Sequence, residues 1–322
     1  MKKALKLFAV MCLCAIAACV ALGCGSSAPS SSSASAKSDS SFSSDPATKT
    51  VSTDPVYILV DGNDSRYGTS EQTDQTPETK GYADTIMLMR VDPAKNHIAI
   101  VSIPRDTAAE FDGKPDKINA VHWAGPEALA KEVGNMFGVD VPYYFDYKFI
   151  EFANFVDKLG GVNVDVPMSL EGGDIINDDR LSVEAGPNTL DGVTALMLCR
   201  QRKVYADNGE AIRQMITRDL VANAIQAAAA QPSTEAAKYA NLLETSGNTN
   251  MPADVLEAYI AAFQDSGQPI SFSLGTTPYA GSLDESTGVW CIPRDGDVYA
   301  QLKQAMEDGG NLADVVPLPA VY

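Results

Sequence analysis

Histidine and tryptophan are nearly absent, with two of each in 322 residues, and beyond position 24 the chain holds only two cysteines, Cys199 and Cys291. Two cysteines make no disulfide framework and no zinc-ligand spacing. An oxidising exterior would permit one bridge between them, and two buried core cysteines fit as well. His97, inside an apolar stretch, and His122, beside Trp123, indicate neither a metal site nor a catalytic triad. Positive charge is scarce too: 24 Lys and Arg stand against 42 Asp and Glu, a formal net charge of −18. That excludes DNA and RNA as partners, because such binding rests on clustered cations neutralising phosphates. A phosphate ligand would need a local basic site that overrides the field of the whole molecule. With 45% hydrophobic and 20% charged residues, the chain is neither disordered, nor collagen-like, nor a multi-span membrane protein.

The N-terminus is the one strongly apolar stretch. Lys2, Lys3 and Lys6 precede the run from Leu7 to Gly23, which is the pattern of a secretory signal. Cys24, in Ala21-Leu22-Gly23-Cys24-Gly25, sits where a bacterial lipobox would be cut and lipidated; Ile16-Ala17-Ala18-Cys19 fits the same pattern, and an uncleaved anchor is the third possibility. Each of the three holds the protein on the outer face of the cytoplasmic membrane. Residues 25–54 are Ser-rich, for example Ser30-Ser31-Ser32-Ser33, and bury too little to offset their ordering entropy, so they read as a flexible tether. The expected organisation is a signal over 1–24, a tether over 25–54 and one domain over 55–322.

In that domain Pro55–Asp61, Thr85–Val91 and His97–Ile103 read as apolar strands, the last two joined by the turn Asp92-Pro93-Ala94-Lys95-Asn96. Pro126–Phe137 and Phe149–Leu159 carry apolar residues at helical spacing and stop at glycines. Val162–Val166 reads as a strand, and Leu190–Met197 and Ile212–Ala230 as helices. The segment Gln231–Gly247 is the weakest join. Beyond it the pattern predicts a helix over Pro252–Phe263, strands over Ile270–Leu274 and Val289–Ile292, and a closing helix over Val298–Met306. Interleaved helices and strands predict an α/β fold, an αβα sandwich with helices on both faces of a mixed sheet.

Four of nine arginines, Arg200, Arg202, Arg213 and Arg218, fall within residues 200–218. Planar guanidinium groups suit bidentate phosphate binding; a solvated helix face paired with Asp207, Glu210 and Asp219 is the plainer alternative. A second group, Asp64, Asp84 and Arg105-Asp106, follows or precedes strand ends, where ligands bind in α/β sheets. Two carboxylates there could hold one Mg²⁺, or serve only as turn formers.

Six motifs in order, Asp64-Ser65-Arg66, Ala83-Asp84-Thr85-Ile86-Met87-Leu88, Val101-Ser102-Ile103-Pro104-Arg105-Asp106-Thr107, Lys117-Ile118-Asn119-Ala120, Leu159-Gly160-Gly161-Val162 and Arg200-Gln201-Arg202, resemble the LytR-CpsA-Psr family of cell-envelope proteins. The motif core runs over 57–230, with a looser extension over 231–322. The resemblance implies a membrane-anchored phosphotransferase that takes an anionic glycopolymer from a polyprenyl pyrophosphate carrier to peptidoglycan, with an apolar pocket for the lipid. It also implies roles: Asp64 and Asp84 for Mg²⁺; Arg105, Arg200 and Arg202 on phosphate oxygens; Arg66, Arg213 and Gln214 nearby; Asp106, Lys117 and Asn119 ordering the loop. Asp207, then Glu210, are the candidates for general base. Two positions depart from the family: Tyr82 stands where an Arg is common, and Glu210 reverses the charge of an expected Arg. A polyprenyl-phosphate binder without transfer activity is therefore the alternative. Phe149–Leu159 and Leu190–Met197, with Met215 and Ile216, would line the lipid pocket.

Overall fold

A computed structural model describes residues 51–76 and 78–319, apart from the side chains of Ala206 and Asp207. The expected signal, Cys24 and the tether through residue 50 lie outside the described residues. At its entry to the fold the chain is tied down by Tyr259, whose hydroxyl donates to the Asp54 carbonyl.

Strands β1 (Val56–Asn63), β2 (Ala83–Asp92) and β3 (His97–Ile103) form an antiparallel meander. Their near-continuous apolar runs belong to strands covered on both faces. Between β2 and β3 the Asp92 side chain accepts from the Lys95 N–H, and Asn96 takes φ +47°, a conformation Asn tolerates better than most residues. Next come a hairpin of β4 (Ala108–Phe111) and β5 (Lys114–Lys117) turning on Asp112-Gly113, both at positive φ, and then β6 (Tyr143–Tyr147). Away from the main sheet, β7 (Val162–Val166) pairs with β10 (Gly186–Leu190), and β8 (Leu170–Gly173) with β9 (Arg180–Val183). Short β11 (Asn248–Thr249) borders β6, and β12 (Ser271–Thr276) runs parallel to β3. A last hairpin joins β13 (Ser282–Asp284) to β14 (Val289–Cys291). The six-stranded central sheet is mixed, in the order β11-β6-β1-β2-β3-β12.

Helices cover both faces, as the sequence predicts. Ile86, Leu88, Val101 and Ile103 point to the side of α1 (Ile118–Val121), α2 (Pro126–Phe137) and α8 (Gly296–Asp308), packing with Leu129, Val133, Phe137, Leu302 and Met306. Met87, Met89, Ile98 and Ile100 point the other way. There they meet α5 (Gly209–Ala229), α6 (Ala236–Ser246) and α7 (Ala253–Ser266) through Ala222, Ala240, Leu256 and Phe263. A neighbouring core joins α3 (Phe149–Leu159) and α4 (Gly192–Arg200) to α5 and the β7/β10 ribbon through Val156, Val164, Leu198, Ile216 and Leu220.

Most bounds shift by one to three residues from expectation, and two departures have a clear physical cause. Leu190 ends β10 opposite Val162, and the helix begins only after Asp191, whose side chain accepts from the Thr194 N–H at 2.9 Å; this N-cap outweighs the apolar run that suggested an earlier start. The join over Gln231–Gly247 contains α6, with Ala236, Tyr239, Ala240 and Leu243 on its inner face. Small alanines made that stripe faint. Cys199 and Cys291 are both buried and unbridged, each 7% exposed, and so belong to the core; burial pushes the Cys199 thiol up to about 11.

Leu88 is fully buried on the central strand. Leu88→Ala should lower unfolding stability by about 3 kcal/mol through lost contacts and a residual cavity, read as a lower urea midpoint with an unchanged slope.

Candidate functional site

The first strand remains paired through Gly62 and Asn63, with a register shift there, before the chain turns at Asp64. Asp64 is locked to the start of β2 by two bonds: its N–H donates to the Tyr82 carbonyl at 3.0 Å, and its Oδ1 accepts from the Tyr82 N–H at 2.7 Å. Gly81 permits this closeness, because a Cβ there would collide with Ser65 and the Asp64 carboxylate. Burial, and then the charge of Asp84, push the Asp64 carboxyl above its ordinary 3.8. Both acids offer hard oxygen donors at the same rim, the donor type that Mg²⁺ takes.

Arg105, on the loop after β3, places Nη1 2.6 Å from Asp84 Oδ1. Its loop is held from below: Asn119 donates its N–H to the Arg105 carbonyl, and Lys117 Nζ lies 2.9 Å from Asp106 Oδ1. Burial opposes the charge on Arg105, but Asp84, Glu210 and Asp106 outweigh it and raise its pKa. The structure thus brings Asp64, Asp84, Arg105, Asp106, Lys117 and Asn119 to one rim of the sheet.

Arg200, at the end of α4, is half-buried with its guanidinium 5.1 Å over the Phe149 ring; Arg66 approaches the same ring at 5.6 Å and pairs with Glu71. Burial, then Arg66, lower the Arg200 pKa. Among the described residues neither Arg200 nor the exposed Arg202 has a carboxylate partner, which leaves two guanidinium groups available to an anion. Gly209 presses the start of α5 against the Arg202 carbonyl so closely that a Cβ could not be accommodated.

Arg213 is placed differently from Arg200 and Arg202. It is 6% exposed and fully engaged: Nε and Nη2 meet Glu210 at 3.1 and 2.6 Å, Nη2 also donates to the Asp84 carbonyl at 2.6 Å, and Nη1 to Thr85 Oγ1 at 3.2 Å. Glu210 further accepts from Gln214 and lies 4.0 Å from Arg105 Nε. Burial works to raise the Glu210 carboxyl, but Arg213, Gln214 and Arg105 prevail and hold it below 4.5. The reversed charge is thus absorbed as an internal ion pair. The side chain of Asp207 lies outside the described residues. Tyr82 is exposed and meets Trp123 edge-on at 5.5 Å.

Beneath this rim a cavity of about 380 Å³ runs between the sheet and the helices. Arg66, Asp84, Arg105, Arg200 and Arg202 stand among the residues that line it, and Met87, Met89, Phe152, Phe155, Val221 and Leu243 furnish apolar wall. Helix α3 lines it as expected and α4 contributes Leu196, whereas Ile216 packs into the neighbouring core and Met215 borders a separate hollow. The walls from α6 and α7 had no sequence signal beyond their own periodicity. Phe149, over which Arg200 lies, stands in none of the six motifs. Thr85, though inside the Asp84 motif, carries no role there beyond its place in the pattern, whereas its hydroxyl accepts from Arg213.

Glu210→Ala should destabilise the fold by about 3 kcal/mol, because it strands a buried guanidinium. A depressed carboxyl pKa contributes stability that is present above 4.5 and lost as pH falls through the lower folded value. Glu210→Gln should therefore flatten the stability profile in that acidic window, measured by denaturant melts from pH 3 to 6.

The sequence model of the LytR_cpsA_psr family matches residues 25–306. The chain is 31% identical over 220 residues to the polyisoprenyl-teichoic acid–peptidoglycan teichoic acid transferase TagU of Bacillus licheniformis, covering 67% of this chain and 66% of that one. It is 33% identical over 168 residues to the TagU protein of Bacillus subtilis, covering 51% and 50%. The matched part thus spans two thirds or less of the length of these relatives. Among solved structures, that of Bacillus subtilis TagV superimposes with a TM-score of 0.64 at 21% identity, covering 84% of this chain and all of that one. With the family pattern matched over most of its length and the fold shared, the chain belongs to the LytR-CpsA-Psr family.

Proposed function

We propose that the protein is a Mg²⁺-assisted phosphotransferase that moves an anionic glycopolymer from a polyprenyl pyrophosphate carrier to peptidoglycan, working on the outer face of the membrane. One observation carries this reading: Arg200 and Arg202, which have no carboxylate partner among the described residues, and Asp84, with Asp64 at the same rim, stand at the mouth of an apolar cavity. A ligand matching both parts has a multiply charged anionic head and a long hydrocarbon tail. The names of the TagU relatives, which specify a polyisoprenyl-linked donor and peptidoglycan as acceptor, agree with that chemistry.

In this reading Arg200 and Arg202 bind pyrophosphate oxygens, and the apolar walls hold the prenyl chain so that the scissile phosphorus stays at the rim. Asp64 and Asp84 would hold Mg²⁺, which would supply charge neutralisation for the pyrophosphate. Arg105, paired with Asp84 in the free protein, can turn to the phosphate once that carboxylate is otherwise engaged. The acceptor hydroxyl oxygen forms a bond to the glycopolymer-bearing phosphorus as the anhydride bond breaks, and polyprenyl phosphate leaves. The hydroxyl proton passes to a base, for which Asp207 is favoured over Glu210, since Glu210 is held ionised by Arg213 and is a correspondingly weak proton acceptor. Such a transfer needs mainly positioning and charge neutralisation.

The test supplies the full chain with lipid-linked glycopolymer, peptidoglycan oligomers and Mg²⁺. Linked product should form, fall about 100-fold in Arg200→Ala and vanish on chelation with recovery on adding Mg²⁺. Saturable binding of polyprenyl pyrophosphate without product would instead establish the non-catalytic lipid binder. Membrane attachment is read separately: Cys24→Ala should abolish incorporation of labelled fatty acid and release the protein from the membrane fraction, whereas a signal anchor would remain in it.

A further inference from the structure

Three buried side chains gathered on the α2 side of the sheet take no part in the proposed transfer, although Asp61 also stands among the residues bordering the cavity. Asp61 on β1 and Asp146 on β6 are register partners across a parallel strand pair, so their carboxylates emerge on one face. Two residues earlier on each strand, Leu59 and Tyr144 belong to the core on the α2 side. His122 follows α1 on that side. Asp61, His122 and Asp146 are 2%, 3% and 7% exposed, and one donor atom from each lies within 4.8 Å of the other two.

Hydrogen bonding does not account for this group. Both carboxylate oxygens of Asp61 and the Nε2 of His122 are buried without a hydrogen-bond partner. Asp146 is the better supported acid, accepting from Asn63 Nδ2 at 2.6 Å and Asn248 Nδ2 at 3.5 Å. No lysine or arginine among the described residues pairs with either carboxylate. Two charged carboxylates facing one another on adjacent strands destabilise a sheet. Burial, together with Asp146, pushes the Asp61 carboxyl well above its ordinary 3.8, so this pair calls for either a proton or a cation.

The imidazole is oriented as a ligand would be. Its Nδ1 lies 2.8 Å from the Gly81 carbonyl, which can only accept, so Nδ1 carries the proton and Nε2 is turned toward the acids. It stands 3.4 Å from Asp146 Oδ1 and 3.9 Å from Asp61 Oδ1. Donor atoms ~2.0–2.1 Å from one tetrahedral ion lie about 3.4 Å apart, so a slight inward movement of Asp61 closes the set. A backbone carbonyl on the second imidazole nitrogen is the usual outer partner of a metal-bound histidine.

We propose that Asp61, His122 and Asp146 form a structural Zn²⁺ site, separate from the Asp64/Asp84 pair. One imidazole and two carboxylates suit Zn²⁺ by donor type, and a dication balances the two acids. The site ties β1, β6 and the turn after α1 together. Through His122 it holds Gly81, next to the Tyr82 N–H that donates to Asp64.

The experiment is elemental analysis of the full chain, purified without a polyhistidine tag, beside the double variant Asp61→Asn/His122→Gln, which keeps every cysteine. The wild type should carry about one zinc per chain more than the double variant. Its thermal midpoint should fall on chelation and recover with one equivalent of ZnCl₂, while the variant stays indifferent. Asp64→Asn/Asp84→Asn should retain the zinc, which separates this site from the Mg²⁺ pair. Equal zinc in wild type and Asp61→Asn/His122→Gln, or no response of the wild type to ZnCl₂, overturns the proposal and leaves the three groups sharing protons instead.

Discussion

The buried guanidinium of Arg213 joins three parts of the molecule that the sequence keeps far apart. From the first turns of α5 it reaches the backbone of β2 at Asp84, the hydroxyl of Thr85 and the carbonyl of Cys199 at the end of α4. Such a charge can be buried only because Glu210, one turn earlier, meets it with both oxygens. The positions of Asp84 on one side and of Arg200 and Arg202 on the other follow from this knot. Glu210, where the resemblance led one to expect an arginine, is the acid that makes the knot neutral.

The fold was legible where burial and periodicity agree. His97–Ile103, Pro126–Phe137, Phe149–Leu159 and Val162–Val166 lie at their expected bounds, since each is a long apolar run or stripe ended by a turn or a glycine. Legibility failed where the signal was small residues or capping chemistry. Helix α6 shows its inner face through two alanines, Tyr239 and Leu243, and the helix at 192 begins where a single Asp side chain decides it. The rim was readable as an ordered set of motifs, but the partition of its arginines was not. Spacing alone cannot tell that Arg213 is spent on Glu210 while Arg200 lies over Phe149.

The pairing of His122 with two acids was invisible for another reason. Positions 61, 122 and 146 share no motif, and a lone histidine beside a tryptophan has no pattern. Only the register of β1 against β6 brings the acids side by side, and only the Gly81 carbonyl turns the ring to face them. Long-range pairing made this cluster, and sequence periodicity carries no record of it.

The cavity and its rim are built by different stretches of chain. Charged residues at the opening come from the ends of β1, β2 and β3 and from the α4–α5 junction, whereas part of the apolar wall comes from α6 and α7, beyond residue 230. The two properties can therefore drift independently. Substitutions between 236 and 263 reshape the depth and girth of the interior without touching a single charge at its mouth, so descendants of this chain can retune the length of what they enclose while the chemistry at the entrance stays fixed.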